Sequence, residues 1–389
     1  MPLSFPIENA LLPACITQNL VKAASVLVTK KHLTKGSTRA IICNSGNANA
    51  CTGENGLQVA FSMAELAAAK LGIAASDVLV GSTGVIGVPL PLSAVEKGLD
   101  SLIASLAADA SGHDAALEAI MTTDTKRKEI SIEIELGGKS VRLGAMAKGA
   151  GMIHPNMATM LSFITSDAAI ERELLEHALR VAVKKSFNRV SVDGDTSTND
   201  MVLVLANGAA GNKIIASMDQ DYAEFETALS HICVELAKDI ARDGEGATHL
   251  VACTVTGASS EEVAEKLAKS VISSSLVKAA CFGADANWGR ILCAMGYAGV
   301  PFDPEQVSVR FESRAGSIEV CRQGASLPFS EEDAKKILSE SEISILIQIG
   351  EAVAPLHPHA TKVKEPISVT AWGCDLTYEY VRINGDYRS

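Results

Sequence analysis

The chain passes from loop to strand within Lys148-Gly149-Ala150-Gly151-Met152-Ile153-His154-Pro155-Asn156-Met157-Ala158-Thr159-Met160-Leu161. Glycine, proline and asparagine supply turn conformations, so the part that ends at Asn156 is predicted to be a loop. The apolar run from Met160 to Ile164 predicts a buried strand. Thr159 therefore stands at a junction of loop and strand, directly after a small residue.

A threonine in this position can cut its own chain. The hydroxyl of Thr159 would attack the carbonyl of Ala158, and water would split the ester that results. The cut places Thr159 at a new amino terminus, where its α-amine, with an ordinary pKa of about 8, can act as the base for its own hydroxyl. The alternative is a plain core strand in which Thr159 is a β-forming residue. For an isolated Ala-Thr pair that alternative is favoured, so the self-cleavage hypothesis needs support from the rest of the chain.

Length and composition restrict the class of protein. A chain of 389 residues is longer than one ordinary core, which predicts two domains or one large layered α/β unit. Hydrophobic residues make up 47% of the sequence and aromatic residues 4%, so the core is expected to be aliphatic. The net charge of -12 argues against nucleic acid or an anionic membrane as the main partner.

Targeting signals and cysteine usage both favour a cytoplasmic location. No apolar run reaches the roughly 18 residues of a membrane span, and the start of the chain resembles neither a secretory signal nor an Arg-rich transit peptide. Nine cysteines without a CxxC pair are typical of buried thiols in a reducing compartment. Cys43 and Cys51 flank a glycine-rich loop but have no histidine nearby, so neither a thiol nucleophile nor a metal site is expected.

Two loops of small residues follow short predicted strands. One, at 44–53, precedes a helix predicted at 56–71, and the other, at 81–87, precedes a helix predicted at 92–108. Such loops leave backbone N–H groups available to a ligand, although the patterns of a dinucleotide or phosphate loop are absent. Thr83-Gly84 places a hydroxyl beside an unhindered N–H, a pair that stabilises an oxyanion if it faces a nucleophile and is otherwise a turn.

The remaining chain alternates strands and helices, which predicts the α/β or α+β class. A β-hairpin is predicted at 130–146 and a long amphipathic helix at 221–241. The acidic loop at 191–200 lacks the twelfth-position Glu of an EF-hand, so hydrogen-bonded turns are expected there rather than calcium. Glu245 stands between two glycines; most residues of this kind are solvated, and a minority hold an amino group.

These stretches together resemble the ornithine acetyltransferase family, also called glutamate N-acetyltransferase. The resemblance runs from about Val21 to the last residue, and the stretches that carry it are 43–53, 82–87, 148–161, 191–200 with 285–290, and 372–389. It implies an N-terminal-nucleophile-like α/β fold, a layered sandwich of sheets covered by helices with a smaller C-terminal lobe. It also implies two fragments, 1–158 with the oxyanion loop and 159–389 beginning with the nucleophile.

The resemblance implies roles for particular residues. Thr159 matches the nucleophile, the bond between Ala158 and Thr159 matches the one that is cut, and Thr83 with Gly84 matches the oxyanion-hole pair. The residues that match substrate contacts are Thr125, Lys148, Thr159, Glu245, Asn384 and Ser389. By charge, Lys148 suits a carboxylate and Glu245 suits an ammonium group.

The activity implied is transfer of acetyl from N-acetylornithine to glutamate through an ester on Thr159, in arginine biosynthesis, without a cofactor. The residues do not distinguish an enzyme limited to this exchange from one that also accepts acetyl-CoA. The family further implies an assembly with two copies of each fragment.

Two alternatives to the transferase stay open. A related N-terminal-nucleophile aminopeptidase or amidase would pass the acyl group to water, and a non-catalytic, uncleaved homologue would act as a binding protein. Lys148, Glu245, Asn384 and Ser389 favour the transferase over a hydrolase, which would not need them together.

Overall fold

The computed structural model describes residues 13–35, 38–154, 160–350 and 366–386. The strands are β1 Ala14–Ile16, β2 Ala40–Asn44, β3 Val78–Ser82, β4 Lys128–Leu136, β5 Lys139–Lys148, β6 Leu161–Ser166, β7 Val190–Ser191, β8 Met201–Ala206, β9 Leu250–Thr256, β10 Val307–Ser313, β11 Gly316–Arg322, β12 Ala325–Ser326, β13 Glu342–Ile349 and β14 Ser368–Cys374. The helices are α1 Ala24–Leu33, α2 Gly53–Leu71, α3 Leu92–Ala104, α4 Ala110–Ile120, α5 Arg172–Lys185, α6 Gln220–Arg242, α7 Glu261–Ser273, α8 Ser275–Phe282, α9 Trp288–Gly296, α10 Glu331–Leu338 and α11 Tyr378–Gly385.

The chain divides into two compact units. The larger consists mainly of Met1–Asn188 and Asp195–Ile240, and the smaller consists mainly of Arg189–Gly194 and Ala241–Tyr387. We call them unit 1 and unit 2. The predicted division at 158/159 concerns where the chain is cut, and the packing of the units does not test it.

A five-stranded sheet forms the centre of unit 1, with the strand order β1-β8-β6-β5-β4. β4 and β5 are an antiparallel hairpin, as the sequence predicts, and their turn is Gly137-Gly138 with both φ angles positive, at +55° and +75°. β5 pairs antiparallel with β6, and β6 pairs parallel with β8. Every residue of β8 is buried, which explains its unbroken apolar sequence.

Unit 1 also contains the parallel pair β2–β3, with helices against it. α2 buries one stripe of small and apolar side chains at helical spacing, including Val59, Ala60, Met63 and Ala67. This helix ends at Gly72, whose φ of +67° is the left-handed conformation typical of a glycine C-cap. The core is therefore aliphatic and rich in alanine, as the composition predicts.

The helix predicted at 92–108 is present as α3, which ends four residues earlier, at Ala104. A second helix, α4, begins at Ala110, beyond the predicted bounds. Asp109 caps the first turn of α4, because its carboxylate accepts hydrogen bonds from the N–H groups of Ser111 and Gly112. The sequence did not predict this second helix.

Unit 2 is built on a seven-stranded mixed sheet with the order β12-β11-β10-β13-β9-β14-β7. α7 packs on this sheet through Ala264, Leu267, Ala268 and Val271, which are fully buried. Ser260 caps this helix by accepting a hydrogen bond from the N–H of Val263. Sheets packed against helices in both units confirm the predicted α/β class. Across the described residues, the helices are too short or too polar to span a membrane.

Candidate active site

The Thr83-Gly84 turn follows β3 and packs against the loop that follows β2. Gly84 has a φ of +132°, and a Cβ added there would lie 2.2 Å from the carbonyl carbon of Gly46 and 2.4 Å from the nitrogen of Asn47. Only glycine fits this position. The N–H of Thr83 donates to the carbonyl of Asn44 over 3.1 Å, which fixes the turn. Within the described parts of the chain, neither the Thr83 hydroxyl nor the Gly84 N–H donates to an acceptor.

Asn199 holds together the two segments that carry this turn. Its side-chain amide donates to the carbonyls of Ala48 and Ser82, each over 2.7 Å. Because Ser82 directly precedes Thr83, these bonds position the end of β3. Asn199 belongs to the acidic loop. The sequence predicted hydrogen-bonded turns there without identifying this residue as the one that braces the Thr83-Gly84 turn.

Lys148, the last residue of β5, directs its ammonium group at two threonines. Its Nζ donates to Thr122 Oγ1 over 2.8 Å and to Thr83 Oγ1 over 3.3 Å. The lysine is only 7% exposed. Two predicted site residues, Thr83 and Lys148, are therefore in direct contact although 65 positions separate them.

Asp124 anchors this group of residues. Its Oδ1 accepts from Lys128 Nζ over 2.7 Å and from the Gly149 N–H over 2.6 Å, and its Oδ2 lies 3.8 Å from Lys148 Nζ. The side chains of Asp124 and Lys128 are 0% exposed. We call Thr83, Thr122, Asp124, Lys128 and Lys148 the Lys148 cluster.

The Asp124 carboxyl is held in its ionised form. Burial alone would raise its pKa, but the charges of Lys148 and Lys128 and the hydrogen bonds from Lys128 and Gly149 outweigh burial, so the pKa lies below its ordinary value. Two lysines then share one carboxylate, and the cluster has a formal charge of plus one. A net positive charge in a buried site favours a ligand with an anionic group.

The structure brings Thr122 against Lys148. Thr125, the threonine predicted as a substrate contact, directly follows Asp124 in the chain. The polar run 121–125 has no helical or strand spacing, so the sequence could not show which of its threonines meets the lysine. The predicted role of Thr125 as a substrate contact stays a prediction.

Ala158, Thr159 and Ser389 lie outside the described residues. The chain resumes at Met160, whose carbonyl accepts from the N–H of Met201 over 2.8 Å. The next residue, Leu161, pairs with Lys148 on β5 and with Met201 on β8. The segment that leads out of Thr159 thus begins beside the Lys148 cluster.

Glu245 and Asn384, two predicted substrate contacts, meet in unit 2. Asn384 Nδ2 donates to Glu245 Oε2 over 2.7 Å, and Glu245 is 7% exposed. Gly246 lets the start of α11 approach, because a Cβ added there would lie 2.6 Å from the nitrogen of Tyr380. Thr377 caps this helix and also donates from its hydroxyl to the carbonyl of Gly246 over 2.7 Å.

Asp375 fixes the chain that follows Glu245. It accepts from the N–H groups of Thr248 and His249 over 2.8 and 3.0 Å, and its Oδ2 lies 2.9 Å from His249 Nδ1. Burial would raise the pKa of this carboxyl, but hydrogen bonds from His249 and Thr248 prevail and lower it. The tail residues of the sequence are therefore tied to the Glu245 loop, a link that sequence spacing does not show.

Asp200 is a buried carboxyl that sequence reasoning passed over. It is 2% exposed, and no described residue donates to its Oδ2. Burial raises its pKa well above the ordinary value, and hydrogen bonds with Ser197 and Thr17 and the charge of Lys148 oppose this only in part. Burial therefore favours the protonated form of Asp200 more than it would in an exposed aspartate.

Thiols and metal ligands offer little competing chemistry. All nine cysteines are free, and burial raises the pKa of the Cys43 thiol to about 12, which leaves it inert as a nucleophile. The described residues place His113, Asp114 and Glu129 within reach of one ion. Arg127 already pairs with Asp114 over 3.0 Å, and His113 contacts Glu129, so these groups have partners.

The sheets and the helices packed on them define a layered α/β protein. It carries the Lys148 cluster, in which the Thr83-Gly84 turn lies beside a buried lysine, and the contact between Asn384 and Glu245. The chain belongs to the ArgJ family, whose model matches residues 6–389. It is 51% identical over 373 residues to the arginine biosynthesis bifunctional protein ArgJ 1 of Clostridium acetobutylicum, with 96% of this chain and 88% of that protein covered. The ArgJ protein of Symbiobacterium thermophilum is also 51% identical, with the same shares covered.

A solved structure supports the fold. The bifunctional protein ArgJ of Bacillus halodurans is 43% identical, with a TM-score of 0.51 over 57% of this chain and 97% of that chain. This likeness, together with the family match, confirms the family that the five sequence stretches indicated.

Proposed function

We propose that this chain transfers an acetyl group from N-acetylornithine to glutamate, after it has cut itself between Ala158 and Thr159. The observation that carries the proposal is the contact of Lys148 Nζ with Thr83 Oγ1 at 3.3 Å, on the strand position that pairs with Leu161. A cation and a hydroxyl donor therefore lie beside the segment that leads out of Thr159. The family and the names of its relatives in arginine biosynthesis support the same reaction.

The reaction runs through an ester on Thr159. Its α-amine takes the hydroxyl proton while the oxygen attacks the acetyl carbonyl, and ornithine leaves with that proton as the C–N bond breaks. Glutamate then enters, and its amine attacks the ester carbon. The bond to Thr159 Oγ breaks, and the proton lost by the attacking amine returns to the threonine oxygen through the α-amine. In both halves the negative charge that develops on the acetyl oxygen is stabilised by the Thr83 hydroxyl and the Gly84 N–H.

The substrate groups are recognised by charge. Lys148 lies in a cluster with a net positive charge and suits a carboxylate, and Thr125 is a further contact near it in sequence. Glu245, oriented by Asn384, suits an ammonium group. Ser389 completes the set of proposed contacts. A hydrolase would need no such recognition of an incoming amino acid.

The experiment that tests the proposal follows the acetyl group by mass spectrometry. Incubation with N-acetylornithine alone is expected to release one equivalent of ornithine and add one acetyl mass to fragment 159–389. Glutamate should remove that mass and yield N-acetylglutamate faster than water yields acetate, since a bound amine in attack geometry outcompetes solvent. Acetate as the main product at saturating glutamate would favour the amidase instead.

Three further statements belong to the same proposal. Acetyl-CoA serves as an additional acetyl donor to Thr159; labelled acetyl-CoA with glutamate and no ornithine tests it. The enzyme needs no cofactor. The assembly contains two copies of each fragment in the cytoplasm, which sedimentation of the purified protein and fractionation of cells would check.

A further inference from the structure

Hydrogen-bond chemistry fixes a direction in the contact between Lys148 and Thr83. A protonated lysine has three N–H donors and no acceptor, so at 3.3 Å the threonine Oγ1 has to accept. The threonine proton then points away from Nζ. Among the residues that the structure describes, no acceptor takes that proton. The hydroxyl is thus oriented as a donor before any substrate arrives.

The charges around Lys148 strengthen this donor. Asp124 is hydrogen-bonded to Lys128 at 2.7 Å but lies 3.8 Å from Lys148 Nζ, beyond hydrogen-bond distance. The hydrogen bonds from Nζ go instead to the hydroxyl oxygens of Thr83 and Thr122. An ammonium that donates to a hydroxyl oxygen polarises its O–H bond, and the effect is larger at a site that is 7% exposed.

We propose that Lys148 is a positioning residue for the oxyanion hole, which acts by turning and polarising the Thr83 hydroxyl. The proposal rests on the function proposed above and adds a second role to the carboxylate contact expected of this lysine. During acylation, the bond from Thr159 Oγ to the acetyl carbon forms, and the carbonyl π pair moves onto oxygen. The Thr159 proton goes to its own amine, while Thr83 and Lys148 keep theirs and only donate hydrogen bonds.

The two roles of Lys148 predict different dependences on the substrate. A lysine that only binds a carboxylate matters for N-acetylornithine and is irrelevant to an acetyl donor without that group. A lysine that orients Thr83 matters for any acetyl donor, because every donor forms the same oxyanion. Its effect also requires the Thr83 hydroxyl to be present.

A double-mutant cycle separates these cases. The wild type, Lys148→Met, Thr83→Val and the double variant are compared as processed enzymes, with kcat/KM for N-acetylornithine and for phenyl acetate, a neutral ester. Lys148→Met is expected to lower kcat/KM for phenyl acetate by about tenfold or more when Thr83 is present, and by less than about twofold in the Thr83→Val background. The same non-additivity is expected with N-acetylornithine.

Two results would overturn the proposal. Equal losses from Lys148→Met with and without the Thr83 hydroxyl would show that the residues act independently. A loss confined to N-acetylornithine would leave the lysine with carboxylate binding alone. Failure of the wild type to acquire an acetyl group on Thr159 from either donor is a separate outcome, which contradicts the proposed function itself.

Matched variants guard against a trivial loss of structure. Lys97→Met makes the same exchange at an exposed position on α3 and should leave both rates unchanged. Thr83→Ser keeps the hydroxyl and should restore most of the rate and most of the coupling to Lys148. Lys148→Arg keeps a cationic donor and should retain far more phenyl acetate activity than Lys148→Met; equal activity of the two would also overturn the proposal.

Discussion

Asn384 donates a hydrogen bond to Glu245 over 2.7 Å, although 139 positions separate the two residues. An amide N–H can only donate, so this bond fixes Oε2 of the glutamate as an acceptor. The orientation of the carboxylate is thereby set by the tail of the chain, and its charge is not cancelled by a cation at this contact. The arrangement fits the capture of an ammonium group.

Glu245→Gln tests whether Glu245 binds an ammonium group of the substrate. The exchange removes the charge while nearly keeping the shape, so KM for N-acetylornithine should rise about 10- to 100-fold, the usual worth of a hydrogen bond to a charged group. The rate with phenyl acetate, which has no amine, should stay near that of the wild type. Glu332→Gln, at an exposed position on α10, is the control for the exchange itself. An unchanged KM would remove Glu245 from substrate binding.

Self-processing is expected without added protease. Purified protein should run as fragments 1–158 and 159–389 on a denaturing gel, because Thr159 supplies the hydroxyl that attacks Ala158. Thr159→Ala should stay a single band. Cleavage after residue 158 in that variant would mean that another protease makes the cut.

Thr83→Ala should lower turnover about a hundred- to a thousand-fold, since it removes one donor to the oxyanion. Circular dichroism would show whether the variant is folded. Normal turnover in a folded Thr83→Ala protein would place the oxyanion hole elsewhere.

Gly84→Ala should distort the same turn through sterics. The new Cβ would lie 2.2 Å from backbone of Gly46, and the φ of +132° is unfavourable for alanine. Gly87→Ala is the matched control, because Gly87 also has a positive φ, +79°, but nothing lies within 4 Å of its added Cβ. Urea unfolding should show a loss of about 1 kcal/mol at Gly87 and a clearly larger one at Gly84. Equal losses would mean that the contact with Gly46 is not rigid.

Asp124 should make stability sensitive to acid. Its folded pKa lies below the ordinary value, so its contribution is fully present above about pH 4, where the unfolded carboxyl is ionised, and is lost as the pH falls through the folded pKa. Asp124→Asn removes the carboxylate that pairs with the buried Lys128 and should cost about 3–5 kcal/mol at pH 7. In urea titrations the difference in the free energy of unfolding between variant and wild type should narrow below pH 4. A constant difference down to pH 3 would contradict the lowered pKa of Asp124.

Asp200 should change the pH dependence of stability in the opposite direction to Asp124. Because burial raises its folded pKa, the folded state keeps the proton while the unfolded chain releases it, and stability falls as the pH rises above about 4 toward the folded pKa. Asp200→Asn removes that penalty and should unfold at higher urea than the wild type at pH 7, with the difference vanishing near pH 3.5. A less stable variant at pH 7 would show that the carboxyl has a partner that an amide cannot replace.

The sequence predicted the regular elements better than the polar contacts between them. The long helix predicted at 221–241 is α6, Gln220–Arg242, because the apolar spacing of an amphipathic helix directly reflects burial. Asp124 and Asn199 were missed, since each lies in a polar loop without spacing of its own and acts on residues far along the chain. Their partners become visible only when the sheet brings the loops together.

The family resemblance identified more residues of the candidate site than the spacing of residue types did. It singled out Thr83, Lys148, Glu245 and Asn384 as separate residues, and the structure shows that they meet in pairs. Lys148 contacts Thr83, and Asn384 contacts Glu245. It could not supply the carboxylate that serves two lysines, because the charge balance of a buried cluster depends on which side chains the fold places within a few ångströms. The contact between Lys148 and Thr122 was missed for a similar reason, since the polar run 121–125 has no spacing that indicates it.

The strand order of the five-stranded sheet in unit 1 determines how the protein can refold after cleavage. Fragment 1–158 contains β1, β4 and β5, and fragment 159–389 contains β6 and β8. In the order β1-β8-β6-β5-β4, the two strands of fragment 159–389 therefore lie between strands of fragment 1–158. The uncut chain refolds as a single molecule, whereas the cut one has to reunite two by diffusion. Its refolding yield should therefore rise with protein concentration, while that of Thr159→Ala should not. Cleavage thus makes recovery of the fold a reaction between two molecules instead of one.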